Sequence, residues 1–149
     1  MTTYDEIYDL FTQVVDDYEL KELYDVSPSD FQTYLQGFLM LAIAEFSKCK
    51  KDLSDRDDEE AHFNVTLTDV EKTILSKLMH KVWLKKRISN VTQIDNPLND
   101  RDFKTHSSAQ NLNAKKEYYN VVTEECDRMI SEYGYSNADW LNNPTLQSW

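Results

Sequence analysis

Apolar side chains recur at three- and four-residue spacing in four stretches of this chain, and each stretch predicts a helix. Tyr4, Ile7, Tyr8, Phe11, Val14, Val15 and Tyr18 make one stripe over about residues 3–20, with Asp5, Glu6 and Asp9 near its start, where the helix dipole favours acids. A second helix begins at Ser27-Pro28-Ser29-Asp30. Ser27 suits the cap, Pro28 the first helical position, and Asp30 completes a capping box. Its stripe is Phe31, Tyr34, Leu35, Phe38, Leu39, Ala42 and Phe46, widened by Met40, Leu41 and Ile43. A helix apolar around most of its girth is central in a bundle or covered by a neighbouring subunit.

Residues 51–62, KDLSDRDDEEAH, read as a charged loop between elements. Phe63-Asn64-Val65-Thr66-Leu67 then alternates apolar and polar, the period of a half-buried strand, and the β-branched stretch Ser89 to Ile94 is its candidate partner. Thr68 and Glu71 form a T-x-x-E capping box for a third helix over about 69–88. Ile74, Leu75, Leu78, Met79, Val82 and Trp83 are its buried face; Lys72, Lys77, Lys81, Lys85, Lys86 and Arg87 make it basic. A polar loop, 94–108, follows without periodicity of its own; connections of that length are functional or mobile. The fourth helix starts near Ser107 or Ser108 and runs to about Tyr133, on a stripe of Leu112, Tyr119, Val122, Cys126, Met129, Ile130 and Tyr133. Gly134 would cap it, and 135–149 is an irregular tail. The expected fold class is therefore mainly α: a four-helix bundle-like domain over 1–134, with a short strand or hairpin and a long extended loop or arm over about 88–106.

Composition narrows this further. Only 2 glycines and 3 prolines leave little turn chemistry for a multi-strand β fold. The longest apolar run, Phe38 to Ala44, falls far short of the roughly 18 residues of a membrane span. The acidic N-terminus lacks the basic region of a signal peptide. Cys49 and Cys126 have neither metal-ligand spacing nor a disulfide framework, which fits synthesis in a reducing cytoplasm. Of the net charge of −11, residues 1–60 hold all: 16 acids against 5 bases, whereas 61–149 hold 11 of each. The acidic half disfavours that surface on DNA and suits solvation or a basic protein partner.

No nucleotide loop, zinc motif or nucleophile elbow is present. His62, His80 and His106 flank different elements, and His106 near Asp100 and Asp102 in a polar loop is an ordinary grouping. No catalytic residue, metal or cofactor is expected, so the chain reads as a binding or structural part rather than an enzyme. Trp140 and Trp149, on a polar tail, suit anchoring in a partner's pocket.

Phe63-Asn64, Leu67-Thr68-Asp69-x-Glu71, Ile74-Leu75, the turn MHKVW over Met79 to Trp83, and Asp102-Phe103-Lys104 with Ser107 follow one another in an order that resembles the head–tail connector (adaptor, or head-completion) proteins of tailed bacteriophages. The likeness covers about residues 60–133. It implies a structural virion protein at the neck, made in the host cytoplasm: a homo-oligomeric, dodecameric ring beneath the portal that extends the DNA channel toward the tail. Partners would be the portal protein, neighbouring copies, a tail-side completion or stopper protein and, non-specifically, the passing DNA; no membrane is involved. Interface residues so implied are Arg87, Ile94, Leu98, Arg101, Phe103, Lys104 and His106 on the arm, with Trp140, Leu146 and Trp149 docking the tail on the portal. Acids of the first half would line the channel. The acidic 52–60 stretch has no counterpart in the family pattern. Two rival classes are a small acidic phage or bacterial regulator that binds a protein and imitates DNA, and a DNA-binding protein that uses the basic third helix.

Overall fold

A computed structural model describes residues 1–95 and 102–136, with side chains described through 90 and again from 110. The fold is mainly α, with five helices among the described residues: α1 (Tyr4–Val14), α2 (Tyr18–Val26), α3 (Pro28–Glu45), α4 (Asp69–Asp95) and α5 (Asp102–Ser136). Three two-residue strands, β1 (Thr2–Thr3), β2 (Arg56–Asp57) and β3 (His62–Phe63), make one small antiparallel sheet in the order β1-β3-β2.

The first expected helix is in fact two. Its stripe holds through Val15, but Val14 is half-exposed and Tyr18 is 82% exposed. The chain turns at Asp16-Asp17 because the Asp17 carboxylate accepts the N–H groups of Glu19 (2.7 Å) and Leu20 (3.4 Å), ending one helix to cap the next. The α3 start is as expected: Ser27 accepts the Asp30 N–H and Pro28 is the first helical residue.

The charged 51–62 loop is ordered and carries a short strand, β2. Asp57 accepts the N–H groups of Glu59 and Glu60, tightening the β2–β3 turn, and Ala61 closes it at φ 54°. Asp58 accepts the Tyr4 hydroxyl at 2.6 Å and Arg56 Nε at 3.1 Å. The expected strand shrinks to His62–Phe63, paired with Thr2–Thr3 and Arg56–Asp57 and not with 89–94. That stretch continues α4 to Asp95, because the helix has α3 to lie on: Lys86 Nζ sits 4.8 Å from the Tyr34 ring centre and 5.5 Å from that of Phe38. Tertiary contact outweighs the β preference of its branched residues. The other end of the loop is also helical, since α5 begins at Asp102. An extended arm over 88–106 is therefore corrected to helix on both sides, and 96–101 lie outside the described residues. Gly134 lies inside α5, which runs to Ser136 with no positive φ there.

α4 and α5 are antiparallel: Glu71 meets Tyr133, Lys77 meets Glu125, and His80 meets Tyr118. α1, α3 and α5 all pack on α4. The core between them holds Tyr4, Ile7, Phe11, Leu35, Leu39, Phe46, Phe63, Ile74, Leu75, Leu78 and Met79. The capping box at the start of α4 is present: Thr68 N–H donates to Glu71 Oε2 at 2.8 Å, and Glu71 N–H donates to Thr68 Oγ1 at 3.2 Å. Glu71 is only 3% exposed, and its second oxygen accepts the Tyr133 hydroxyl at 2.9 Å. The same phenol oxygen accepts the Lys50 N–H at 2.8 Å. Burial raises the Tyr133 pKa, as does the bond to Glu71, so the phenol stays protonated as a donor.

Tyr133→Phe removes one hydroxyl and strands both Glu71 Oε1 and the Lys50 N–H. Stability should fall by about 1–3 kcal/mol in urea unfolding, the cost of unsatisfied buried groups. A midpoint like that of the parent chain would show that water replaces the phenol without cost.

Candidate interaction surface

Among the described residues no group of three or more His, Cys, Asp or Glu is placed to hold a metal ion. Burial pushes the Cys126 thiol up to about 11 and raises that of Cys49, which leaves both poor nucleophiles at neutral pH. No buried side-chain nitrogen or oxygen among the described residues lacks a hydrogen-bond partner.

The residues expected at an interface fall in different places. Arg87 is engaged within the chain. Its guanidinium reaches Asp17 Oδ2 at 2.7 Å and Glu19 Oε2 at 2.8 Å, and lies 5.3 Å from the Trp83 ring centre. It pins the α1–α2 turn to α4. Ile94 lies in α4 and Phe103, Lys104 and His106 in α5, but their side chains are outside those described. Leu98, Arg101, Trp140, Leu146 and Trp149 lie outside the described residues.

The basic face of α4 is mostly neutralised as well. Lys72 pairs with Glu6 (3.1 Å) and Asp69 (3.2 Å), Lys77 with Glu125 (3.0 Å) and Lys81 with Glu45 (3.0 Å). With Arg87, four of the six expected cations have acid partners, which removes most of the phosphate-binding charge that a DNA-contacting α4 would present. Lys85 and Lys86 remain exposed on the α3 side.

Three exposed features were not legible as interfaces in the sequence. α2, unforeseen as a separate helix, buries Leu20 and turns Tyr18, Glu22, Asp25 and Val26 outward. Between α3 and α4 runs an open trough of about 790 Å³, mainly apolar, lined by Phe38, Leu41 and Val82 among others and edged by Lys85 and Lys86. Finally, part of α5 is exposed. Among its described side chains the buried ones, Val122, Cys126 and Tyr133, lie from 122 onward, while from 110 to 121 every side chain except Leu112 and Tyr119 is exposed, including Tyr118 and Val121. A groove of about 660 Å³ between α1, α2 and α3 is edged by Asp5, Asp9, Asp16 and Asp25.

His80 is buried on the α4–α5 seam between the Trp83 and Tyr118 rings. Burial lowers its pKa, the Lys77 ammonium lowers it further, and the Glu125 carboxylate opposes them.

The chain matches no protein-family model, no curated protein and no solved structure.

Two outcomes follow from these contacts. Arg87→Ala leaves the mostly buried Asp17 without its cation and should cost about 1–2 kcal/mol, the scale of hydrogen bonds to charged groups discounted for the half-exposed arginine. Made in an Asp17→Asn background, the same change should cost clearly less; equal costs would mean that Arg87 acts through Trp83 alone. For His80 the folded pKa lies below the unfolded value of 6.5, so the unfolded chain binds the proton more readily. Stability should be full above pH 6.5 and fall as the pH drops below it, and His80→Gln should flatten that slope. The carboxylates of Glu6 and Asp58, held low by hydrogen bonds from Lys72 and Tyr4, give their losses at more acid pH. A slope unchanged in the variant would assign it to another group.

Proposed function

We propose that the chain is a structural assembly protein of the phage head–tail connector kind, a ring subunit between portal and tail that extends the DNA channel. The observation that carries this reading is the length of α5 relative to the core. At 35 residues the helix is about 52 Å long, yet among its described side chains those from 110 to 121 are exposed apart from Leu112 and Tyr119, and the buried ones, Val122, Cys126 and Tyr133, come later. Helices in water depend on packing for most of their stability. The exposed stretch 110–121, with Tyr118 and Val121, therefore suits neighbours supplied by assembly.

The positions behind the resemblance between 63 and 83 also support it, since they form one continuous unit. Phe63 packs its ring 5.0 Å from that of Tyr4; Leu67, Ile74, Leu75 and Met79 are buried; Thr68 and Glu71 cap α4; and Trp83 lies beside Arg87. In this reading the α4–α5 pair takes the place of the extended arm as the part that reaches a neighbouring copy or the tail-side protein. The acid-edged groove between α1 and α2 faces away from phosphate or lines the channel, where repulsion keeps DNA sliding. The same acids favour the rival regulator that imitates DNA, and only assembly separates the two.

The test is the native mass of the purified chain, alone and mixed with the portal protein of the same phage. A large ring-shaped complex on the portal is the expected result; a monomer or dimer that ignores the portal would favour the regulator. Deleting residues 141–149 should leave the helices folded by circular dichroism and abolish docking on the portal. Unchanged incorporation into particles would remove the tail from the interface.

A further inference from the structure

The trough between α3 and α4 contains a glycine that nothing among the described residues explains. Gly37 lies in the middle of α3, at negative φ, and a Cβ built on it would meet no atom within 4 Å. Glycine weakens a helix interior relative to alanine, so its presence there usually answers a turn or a close approach. No turn exists at this position, and no described residue approaches it. Beside it Leu41 is 55% exposed, on a helix otherwise rich in buried apolar residues. The trough's edge carries Lys85 and Lys86, which have no carboxylate within salt-bridge distance among the described residues.

The complementary surface is on the same chain. On α2, Tyr18, Glu22, Asp25 and Val26 fall on one side, opposite the buried Leu20. Tyr18 and Val26 are 82% and 78% exposed, and the two acids lie between them. This is an apolar stripe with negative charge, the inverse of an apolar trough with positive edges. A chain cannot seat its own α2 there: Asp17 and Glu19 bind it to Arg87, Leu20 holds its other side in the core, and no α2 residue lines the trough.

We infer that the α3–α4 trough receives the outer face of α2 from a second copy of this chain, with Tyr18 and Val26 packed over Gly37 and Leu41 and with Glu22 and Asp25 facing Lys85 and Lys86. Two different surfaces meet, so the contact is heterologous and repeats head to tail, generating a ring or a filament rather than a closed pair. It deepens the connector reading, on which it rests for ring closure, and stands or falls separately from portal binding.

The experiment is a charge exchange on the full chain, read by sedimentation up to roughly 1 mM, a concentration that reveals even weak contacts. Lys85→Glu with Lys86→Glu, and separately Glu22→Lys with Asp25→Lys, should each lose self-association at least tenfold, while an equimolar mixture of the two restores it. Gly37→Leu should block association sterically while helix content and thermal midpoint are kept or raised. A parent chain that stays monomeric throughout, variants that associate like the parent, or a mixture that fails to recover would each overturn the contact. So would variants that keep self-association and lose only portal binding, which would give the trough to the portal. If the exchange behaves as expected and the portal is never bound, the contact stands and the connector reading falls.

Discussion

The fold depends on one buried carboxylate. Glu71 sits at the first turn of α4, where backbone N–H groups and the helix dipole favour negative charge. One oxygen closes the capping box on Thr68, and the other accepts the Tyr133 hydroxyl from the far end of α5. Through that phenol the Lys50 N–H is satisfied too, which fixes the segment after α3. A carboxylate this buried is tolerable only when its lone pairs are met, so three segments distant in sequence are bound to a single geometry. Phe46, whose ring lies 5.2 Å from that of Tyr133, packs in the same corner.

From that end α4 acts as the central post of the molecule, and its cations distribute the other helices around it. Lys72 takes Glu6 of α1, Lys77 takes Glu125 of α5, Lys81 takes Glu45 of α3, and Arg87 takes Asp17 and Glu19 at the start of α2. Individually such half-exposed pairs contribute little; their value is in register, because each joins α4 to a different helix. The charge asymmetry of the sequence is thus in part an internal complementarity: acids of the first 60 residues meet bases of the third apolar pattern.

How much of this was legible in the sequence follows from which signals are local. The start of α3 at Ser27-Pro28 and the Thr68–Glu71 box need only neighbouring residues, and both formed as the sequence implies. The apolar stripes named most of the core. What failed were readings that needed a partner. The periodicity through Tyr18 hid a break at Asp17, which caps α2 with one oxygen and meets Arg87, 70 residues away, with the other. The β-branched stretch after Ser89 is helical because α3 lies alongside α4 at Lys86. The acids Asp57 to Glu60 are exposed, yet Asp57 and Asp58 also bond a turn and a tyrosine 54 residues away, which a charged stretch does not announce. Of the expected interface, only Arg87 has a described side chain, and it belongs to the fold. The trough was invisible because its key residue, Gly37, is informative only through the emptiness beside it.

Those same electrostatics bound how copies can meet. A chain carrying −11 repels its own kind over the Debye length, about 10 Å at 0.1 M salt. Association must therefore rest on something short-ranged that survives screening: apolar burial, with opposite charges in contact where added salt weakens them least. The internal ion pairs use most of the cations of α4, so the charge this helix leaves to meet an acidic neighbour is at Lys85 and Lys86, beside the apolar trough. Long-range repulsion then helps specificity, because two copies approaching with any pair of acidic faces are driven apart and the trough is a place where apolar surface and positive charge coincide. On this view the acidity of the first half and the sparing of two lysines are one device: the chain stays dispersed until the matching faces meet.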